Sequence, residues 1–222
     1  MENKRLSIVI TVYNKAIYLG HCFNLLREQL LKINEEERNK IEIIVIDDCS
    51  TDSSIYNINE IMDGLEYKVI TNMERKNIAY VRFQAVNEVK GKYFIFIDAD
   101  DLITEDYLET VLGTTQKETG YDLYQYLGRE YPNGCLMDFD STWMPIKLFR
   151  TAFLRNNNIN FNSTFLNEAG QCTGEDKEFF DRFLTYKPTI HNVEKVIVTW
   201  NFAVPKSLTK MGFDFSHLIP KD

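Results

Sequence analysis

Three carboxylates fall within four residues, at Asp98, Asp100 and Asp101, directly after the apolar run Tyr93-Phe94-Ile95-Phe96-Ile97. An apolar run of that length stopping at acids reads as a buried strand that delivers them to one edge of a sheet. In an extended segment Asp98 and Asp100 share a side while Ala99 points away, so two carboxylates can converge on one cation. Such hard oxygen donors suit Mn²⁺ or Mg²⁺. A solvated turn ahead of a helix is the competing reading of the same residues. The rest of the chain has to decide between the two.

The elements that would position these acids alternate. Leu6-Ser7-Ile8-Val9-Ile10-Thr11-Val12 is short and rich in β-branched residues, which predicts a central parallel strand ending at Tyr13-Asn14. A helix is expected over about 16–31, with Leu19, Phe23, Leu26 and Leu30 at helical spacing, and the run Glu35-Glu36-Glu37-Arg38 reads as a solvated exit. A second strand over 41–46 ends in Asp47-Asp48, after which Ser50, Thr51 and Asp52 offer caps for a helix to about 63. A third strand follows near 67–71. A helix over 78–89 turns Val81, Ala85 and Val86 inward and leads through Lys90-Gly91-Lys92 into the acid-bearing strand. Repeated strand and helix of this kind predict an α/β fold, a mostly parallel Rossmann-like central sheet flanked by helices. In such sheets ligands bind at the carboxyl ends of the strands, where Thr11, Asp47-Asp48 and Asp98-Asp100 would stand. Three strands donating polar groups to one crevice favour the metal site over the solvated turn.

The pattern changes after the acids. Thr104 is positioned to cap a helix with the stripe Tyr107, Leu108, Val111 and Leu112; residues 122–127 alternate, Pro132-Asn133-Gly134 forms a turn, and Cys135-Leu136-Met137 resumes. The polar stretch 162–173 reads as a lid beside the crevice. A helix over 174–186 would bury Phe179, Phe180 and Phe183, with a strand over 193–200 behind it. This is one domain over 1–222 in two halves, a nucleotide-binding-like front over 1–101 and a mixed back over 102–222.

A net charge of -8 argues against a nucleic-acid partner. Cys22, Cys49, Cys135 and Cys172 have no C-x-x-C spacing, which reads as reduced, cytosolic thiols rather than a zinc cage or disulfide framework. Polar Tyr13-Asn14-Lys15 cuts the first apolar run short of a signal peptide, so the expected location is cytoplasmic, soluble or peripheral at a membrane. Neither G-x-G-x-x-G nor G-x-x-x-x-G-K-[ST] follows the first strand, so an anion bound here would be held chiefly by a metal, not by a glycine cradle.

Three blocks taken together, Ser7 to Asn14 with Tyr18-Leu19, then Ile46-Asp47-Asp48-Cys49-Ser50-Thr51-Asp52, then Gly91-Lys92-Tyr93 to Asp101, resemble the family 2 glycosyltransferases of the GT-A fold. The resemblance implies inverting, metal-dependent transfer of a sugar from a nucleotide diphosphate, usually a UDP-sugar, to a hydroxyl of a glycan or polyprenyl-linked acceptor, as in surface polysaccharide biosynthesis. The product setting would be the inner face of the plasma membrane. Carried onto this chain, it implies Thr11 and Tyr13 beside the base, Asp48 as partner of a uracil N3–H, Asp98 facing the ribose or sugar and sharing the metal, and Asp100 as the direct metal ligand. Arg82 would contact the donor diphosphate or sugar. Asp176, in Gly174-Glu175-Asp176, would be the general base with Glu175 as its alternative, and Lys206 would touch a phosphate from a closing loop. Three positions depart from the family pattern: Thr11 replaces a proline, Cys49 a glycine, and Asn77-Ile78-Ala79 an Asn-x-Gly. Asn77 can adopt the left-handed conformation and Thr11 can stay extended, whereas Cys49 carries a Cβ where glycine is usual. Two other classes share the acids: a sugar nucleotidyltransferase, which would want an Arg-containing glycine-rich loop after the first strand, and a non-catalytic glycan-binding relic.

Overall fold

The computed structural model describes residues 4–117, 120–166 and 170–201. Within them a nine-stranded sheet runs in the order β3-β2-β1-β4-β8-β6-β9-β5, with β7 paired to β6 off that path. The front half supplies β1 (Leu6–Val12), α1 (Leu19–Lys32), α2 (Glu35–Arg38), β2 (Ile41–Asp47), α3 (Ser54–Ile61), β3 (Lys68–Thr71), α4 (Ile78–Glu88) and β4 (Tyr93–Asp98). The back half supplies β5 (Leu102–Ile103), α5 (Tyr107–Gln116), β6 (Leu123–Tyr131), β7 (Leu136–Met137), a 3₁₀ turn (Met144–Ile146), β8 (Lys147–Arg150), α6 (Thr151–Asn156), α7 (Glu175–Thr185) and β9 (Ile190–Asn201). Strands β1 to β4 pair in parallel, β8 runs antiparallel to both β4 and β6, and β9 is parallel to β6. The expected parallel front and mixed back are both present.

Strand alternation sorts the core into two layers. On one face Leu6, Ile8, Ile10 and Val12 of β1 join Tyr93, Ile95 and Ile97 of β4 under α1, α3 and α5. On the other face Val9, Phe94 and Phe96 pack against α4, α6 and α7. Thr11 and Asp98 follow Val9 and Phe96 by two residues, so their side chains leave the sheet on the α4 and α7 side. The second layer is strongly aromatic: Phe161 stacks on Phe179 at 3.9 Å, and Phe149 meets Phe179 and Phe183 edge to face. Each buried phenylalanine of this kind holds its element with about 3–5 kcal/mol, judged by what truncation to alanine costs. The first turn of α7 is thus fixed relative to the sheet edge.

Several local expectations are revised. Helix α3 starts only at Ser54, because Asp52 folds back to accept from the Ser54 amide at 2.9 Å. Helix α5 is preceded by Asp106 rather than Thr104, whose hydroxyl donates to Asp106 at 2.9 Å. Asn77 is extended, with φ -175, and caps α4 by accepting from the Tyr80 amide, so no left-handed turn is needed there. The short elements β5, β8 and α6 were not expected. Lys147, which opens β8, is fully buried: its Nζ donates to Gln125 Oε1 at 2.9 Å and to the Phe139 carbonyl at 3.2 Å, and burial pulls its pKa down to about 8.

Gly91 sits where β1 and β4 enter the sheet. A Cβ there would lie 2.5 Å from the Ser7 nitrogen and 2.7 Å from the Leu6 carbonyl carbon, both backbone atoms that cannot swing aside. Gly91→Ala should therefore lose about 1–3 kcal/mol of unfolding free energy, read as a lower urea midpoint at unchanged slope. An unchanged midpoint would show that the entry to β4 can shift.

Candidate active site

The carboxyl ends of β1, β2 and β4 converge. Thr11 is in register with Asp98, and its hydroxyl donates to Asp98 Oδ1 at 2.8 Å. At the neighbouring ends, the Asp48 amide donates to the Val12 carbonyl at 2.9 Å. Asn14 Oδ1 accepts from the Thr51 amide at 2.8 Å, and Ser50 Oγ accepts from the Asn14 amide at 2.9 Å, which ties the loop after β1 to the loop after β2. Asp48 is buried, and its Oδ1 accepts from Asn72 Nδ2 at 3.0 Å and the Lys76 amide at 2.9 Å. Tyr13 is half-buried beneath the Arg75 guanidinium, 4.2 Å above its ring.

The three acids of the opening motif do not continue as a strand. β4 ends at Asp98, and Asp101 N donates to the Asp98 carbonyl at 2.9 Å, closing a turn. The alternation argued from an extended backbone thus fails beyond Asp98, and each acid goes to a different partner. Asp98 Oδ2 lies 3.5 Å from Arg82 Nη2, Asp100 Oδ2 accepts from Lys15 Nζ, and Asp101 Oδ1 accepts from the Asn201 amide at the end of β9. Burial lifts the Asp100 carboxyl above its usual range, with the Lys15 ammonium pulling it back and Asp98 pushing it up. Asp101 is raised further, first by burial and then by Asp98 and Asp100.

Arg82 is the centre of the site. It projects from α4, is only 3% exposed, and is no surface arginine. Its Nη1 donates to Glu175 Oε1 at 2.8 Å and to Asp176 Oδ1, while Nη2 faces Asp98. Five fixed donors in a planar fork allow one side chain to hold three carboxylates at once. Glu175 and Asp176 open α7, where acids are favoured by the helix dipole. The Asp176 side chain is 18% exposed against 10% for Glu175, so of the two it is the one better able to meet a substrate.

Thr11, Asp48, Asp98, Arg82, Glu175 and Asp176 are thus brought to one edge, with Tyr13 and Asp100 beside them. Lys206 and the remainder of the tail over 202–222 lie outside the described residues, as do 167–169 of the expected lid. Sequence reasoning gave no role in the site to Lys15, Asn14, Asn72 or Arg75. Lys15 was legible only as the residue that interrupts an apolar run, since its partner is 85 residues away.

The residues fit a divalent cation in kind. Asp98 and Asp100 are hard oxygen donors close enough for one to raise the pKa of the other, and the Lys15 ammonium on Asp100 marks a position where positive charge sits. Among the described residues no group of three or more His, Cys, Asp or Glu side chains gathers that could hold a metal. No described helix is long and apolar enough to cross a membrane.

Cys49 has φ 65, the left-handed backbone that glycine adopts freely and that costs other residues about 1–2 kcal/mol. Cys49→Gly is expected to raise stability by roughly 0.5–1 kcal/mol after glycine's own entropic penalty, and Cys49→Val to lower it. Thermal melts of the two variants check this; a stabilising valine would contradict the strain.

A model of glycosyl transferase family 2 matches residues 7–167. The protein EpsH of Bacillus subtilis (strain 168) is 33% identical over 142 residues, which are 63% of this chain and 39% of that protein. The poly(ribitol-phosphate) beta-N-acetylglucosaminyltransferase TarS of Staphylococcus aureus (strain Mu50 / ATCC 700699) is 25% identical over 174 residues, 71% of this chain and 29% of TarS. The structure of S. aureus TarS 1-349 in complex with UDP superposes with a TM-score of 0.73 at 21% identity, over 89% of this chain and 60% of that one. The mannosyltransferase PcManGT from Pyrobaculum calidifontis, in complex with GDP-Man and Mn²⁺, superposes with a TM-score of 0.64 at 16% identity, over 93% of this chain and 59% of that one. The architecture is the GT-A fold, and the chain spans less than two thirds of the length of each of these proteins.

Proposed function

We propose that this chain, which belongs to glycosyl transferase family 2, moves a sugar from a UDP-sugar to a hydroxyl of a glycan or lipid-linked acceptor, with inversion at the anomeric carbon. The observation that carries this reading is the buried Arg82, which joins the donor edge at Asp98 to Asp176 at the start of α7. UDP in the TarS complex, against GDP-Man in the more distant mannosyltransferase, favours uracil as the base.

In this reading Tyr13 and Asp48 border the base, and Thr11 orients Asp98 toward the ribose or sugar by the hydroxyl bond to Oδ1. Arg82 presents a guanidinium to the donor diphosphate while its other donors steady Asp176. A sugar hydroxyl is a poor nucleophile until a carboxylate takes its proton during attack, and this reading gives that task to Asp176, the more exposed of the two acids that open α7. Glu175, more buried, orients Arg82 in this reading and remains the alternative base. A Mn²⁺ or Mg²⁺ held by Asp100 and Asp98 would, when bound, stabilise the negative charge that gathers on the diphosphate.

The test is a screen of UDP-, GDP- and TDP-sugars in the presence of Mn²⁺, scoring nucleoside diphosphate release. UDP release is expected, with Asp176→Asn lowering turnover by about 10²- to 10⁴-fold while UDP still binds. Pyrophosphate as the product would instead identify a sugar nucleotidyltransferase. Absence of any nucleotide binding by calorimetry would make the chain a non-catalytic member of the fold.

A further inference from the structure

Lys15 stands at the strand edge with its ammonium on Asp100, and the preceding mechanism gives that ammonium no task. It follows Asn14, whose φ of 50 turns the chain back over the ends of β1 and β2. Its backbone is pinned: the amide donates to Ser54 Oγ at 2.9 Å, and its carbonyl accepts from the Tyr18 and Leu19 amides at 2.8 and 3.1 Å. Only the side chain is left to move. That side chain crosses to Asp100 and closes an ion pair in which the two side chains are 17% and 13% exposed. A lysine bridging a loop to an acid 85 residues away, with both side chains largely buried, is more than a solvated surface pair.

We propose that Lys15 is the resident counter-ion of Asp100 and that a divalent cation enters the site only by displacing it. The inference rests on the assignment of Asp100 as a metal ligand and goes beyond it by giving Lys15 a part in metal affinity. A buried carboxylate without a compensating charge is unstable, and Lys15 supplies that charge when no metal is bound. A metal on the same carboxylate must break this pair and, for as long as the ammonium stays close, must also bear its repulsion. Such competition weakens the hold of Asp98 and Asp100 on a metal when no donor is bound. The flexible four-carbon stem lets the displaced ammonium pivot about its fixed backbone toward an anion at the same strand edge, and the donor diphosphate is the anion proposed there. Lys15 is thus a positioning residue that restrains metal binding in the empty site and gains a new partner when the donor arrives.

The test measures Mn²⁺ binding, not turnover. Free Mn²⁺ is followed by electron paramagnetic resonance during titration of wild type, Lys15→Met, Lys15→Arg and Asp100→Asn, each with and without UDP. In the absence of UDP, Lys15→Met is expected to bind Mn²⁺ at least about tenfold more tightly than wild type, since a cation in contact with the ligand has been removed. Lys15→Arg, which keeps the charge, should stay near wild type, and UDP should tighten Mn²⁺ binding less in Lys15→Met than in wild type. Equal or weaker Mn²⁺ binding by a folded Lys15→Met overturns this inference alone. Absence of Mn²⁺ binding to every protein, with UDP present, overturns it together with the metal assignment beneath it.

Discussion

One buried guanidinium decides where the working groups of this protein stand. Arg82 lies within reach of three carboxylates from two distant stretches of chain, Asp98 at the end of β4 and Glu175 with Asp176 at the start of α7. Burying a guanidinium is costly unless its donors are met, and removing one partner from a buried ion pair typically costs 3–5 kcal/mol. The cluster therefore acts as a constraint: α7 cannot drift from the sheet edge without leaving a buried charge unpaired. The same constraint holds Asp98 and Asp176 at a fixed relation, as the transfer proposed for this site would require.

The constraint works because strand register and aromatic packing bring its members to one face. Thr11 and Asp98 occupy partnered positions on β1 and β4 and point to the layer that contains α4 and α7. A slip of one residue in either strand would turn them to the opposite layer. Phe179, Phe180 and Phe183 then fasten α7 against Phe149, Phe153 and Phe161. Polar placement at the edge is thus a consequence of apolar placement beneath it.

Much of the front half was legible because its strands are apolar runs that end abruptly at polar residues, and the helices between them carry clear stripes. Leu6 to Val12, Ile41 to Asp47 and Tyr93 to Asp98 all form where the pattern puts them. The back half was less legible. Strand β5 has two residues and β8 four, and both exist only through pairing with β9, β4 and β6, which no local pattern reveals. Lys147, buried in β8, breaks the apolar pattern that would mark a strand. At the site, acids and strand ends could be read from the chain. The turn that separates Asp98 from Asp100 could not, because three adjacent acids look alike whether extended or folded. The burial of Arg82 was hidden for a different reason: its partners on α7 lie 93 and 94 residues away.

The dependence of the site on Arg82 is measured most directly by a double-mutant cycle on unfolding free energy, combining Arg82→Met with Asp176→Asn. If the guanidinium ties α7 to the donor edge through Asp176, the two changes will be non-additive, with a coupling of about 1 kcal/mol or more. Additivity within about 0.3 kcal/mol would mean that the two side chains do not sense each other, and would contradict the central role given to Arg82.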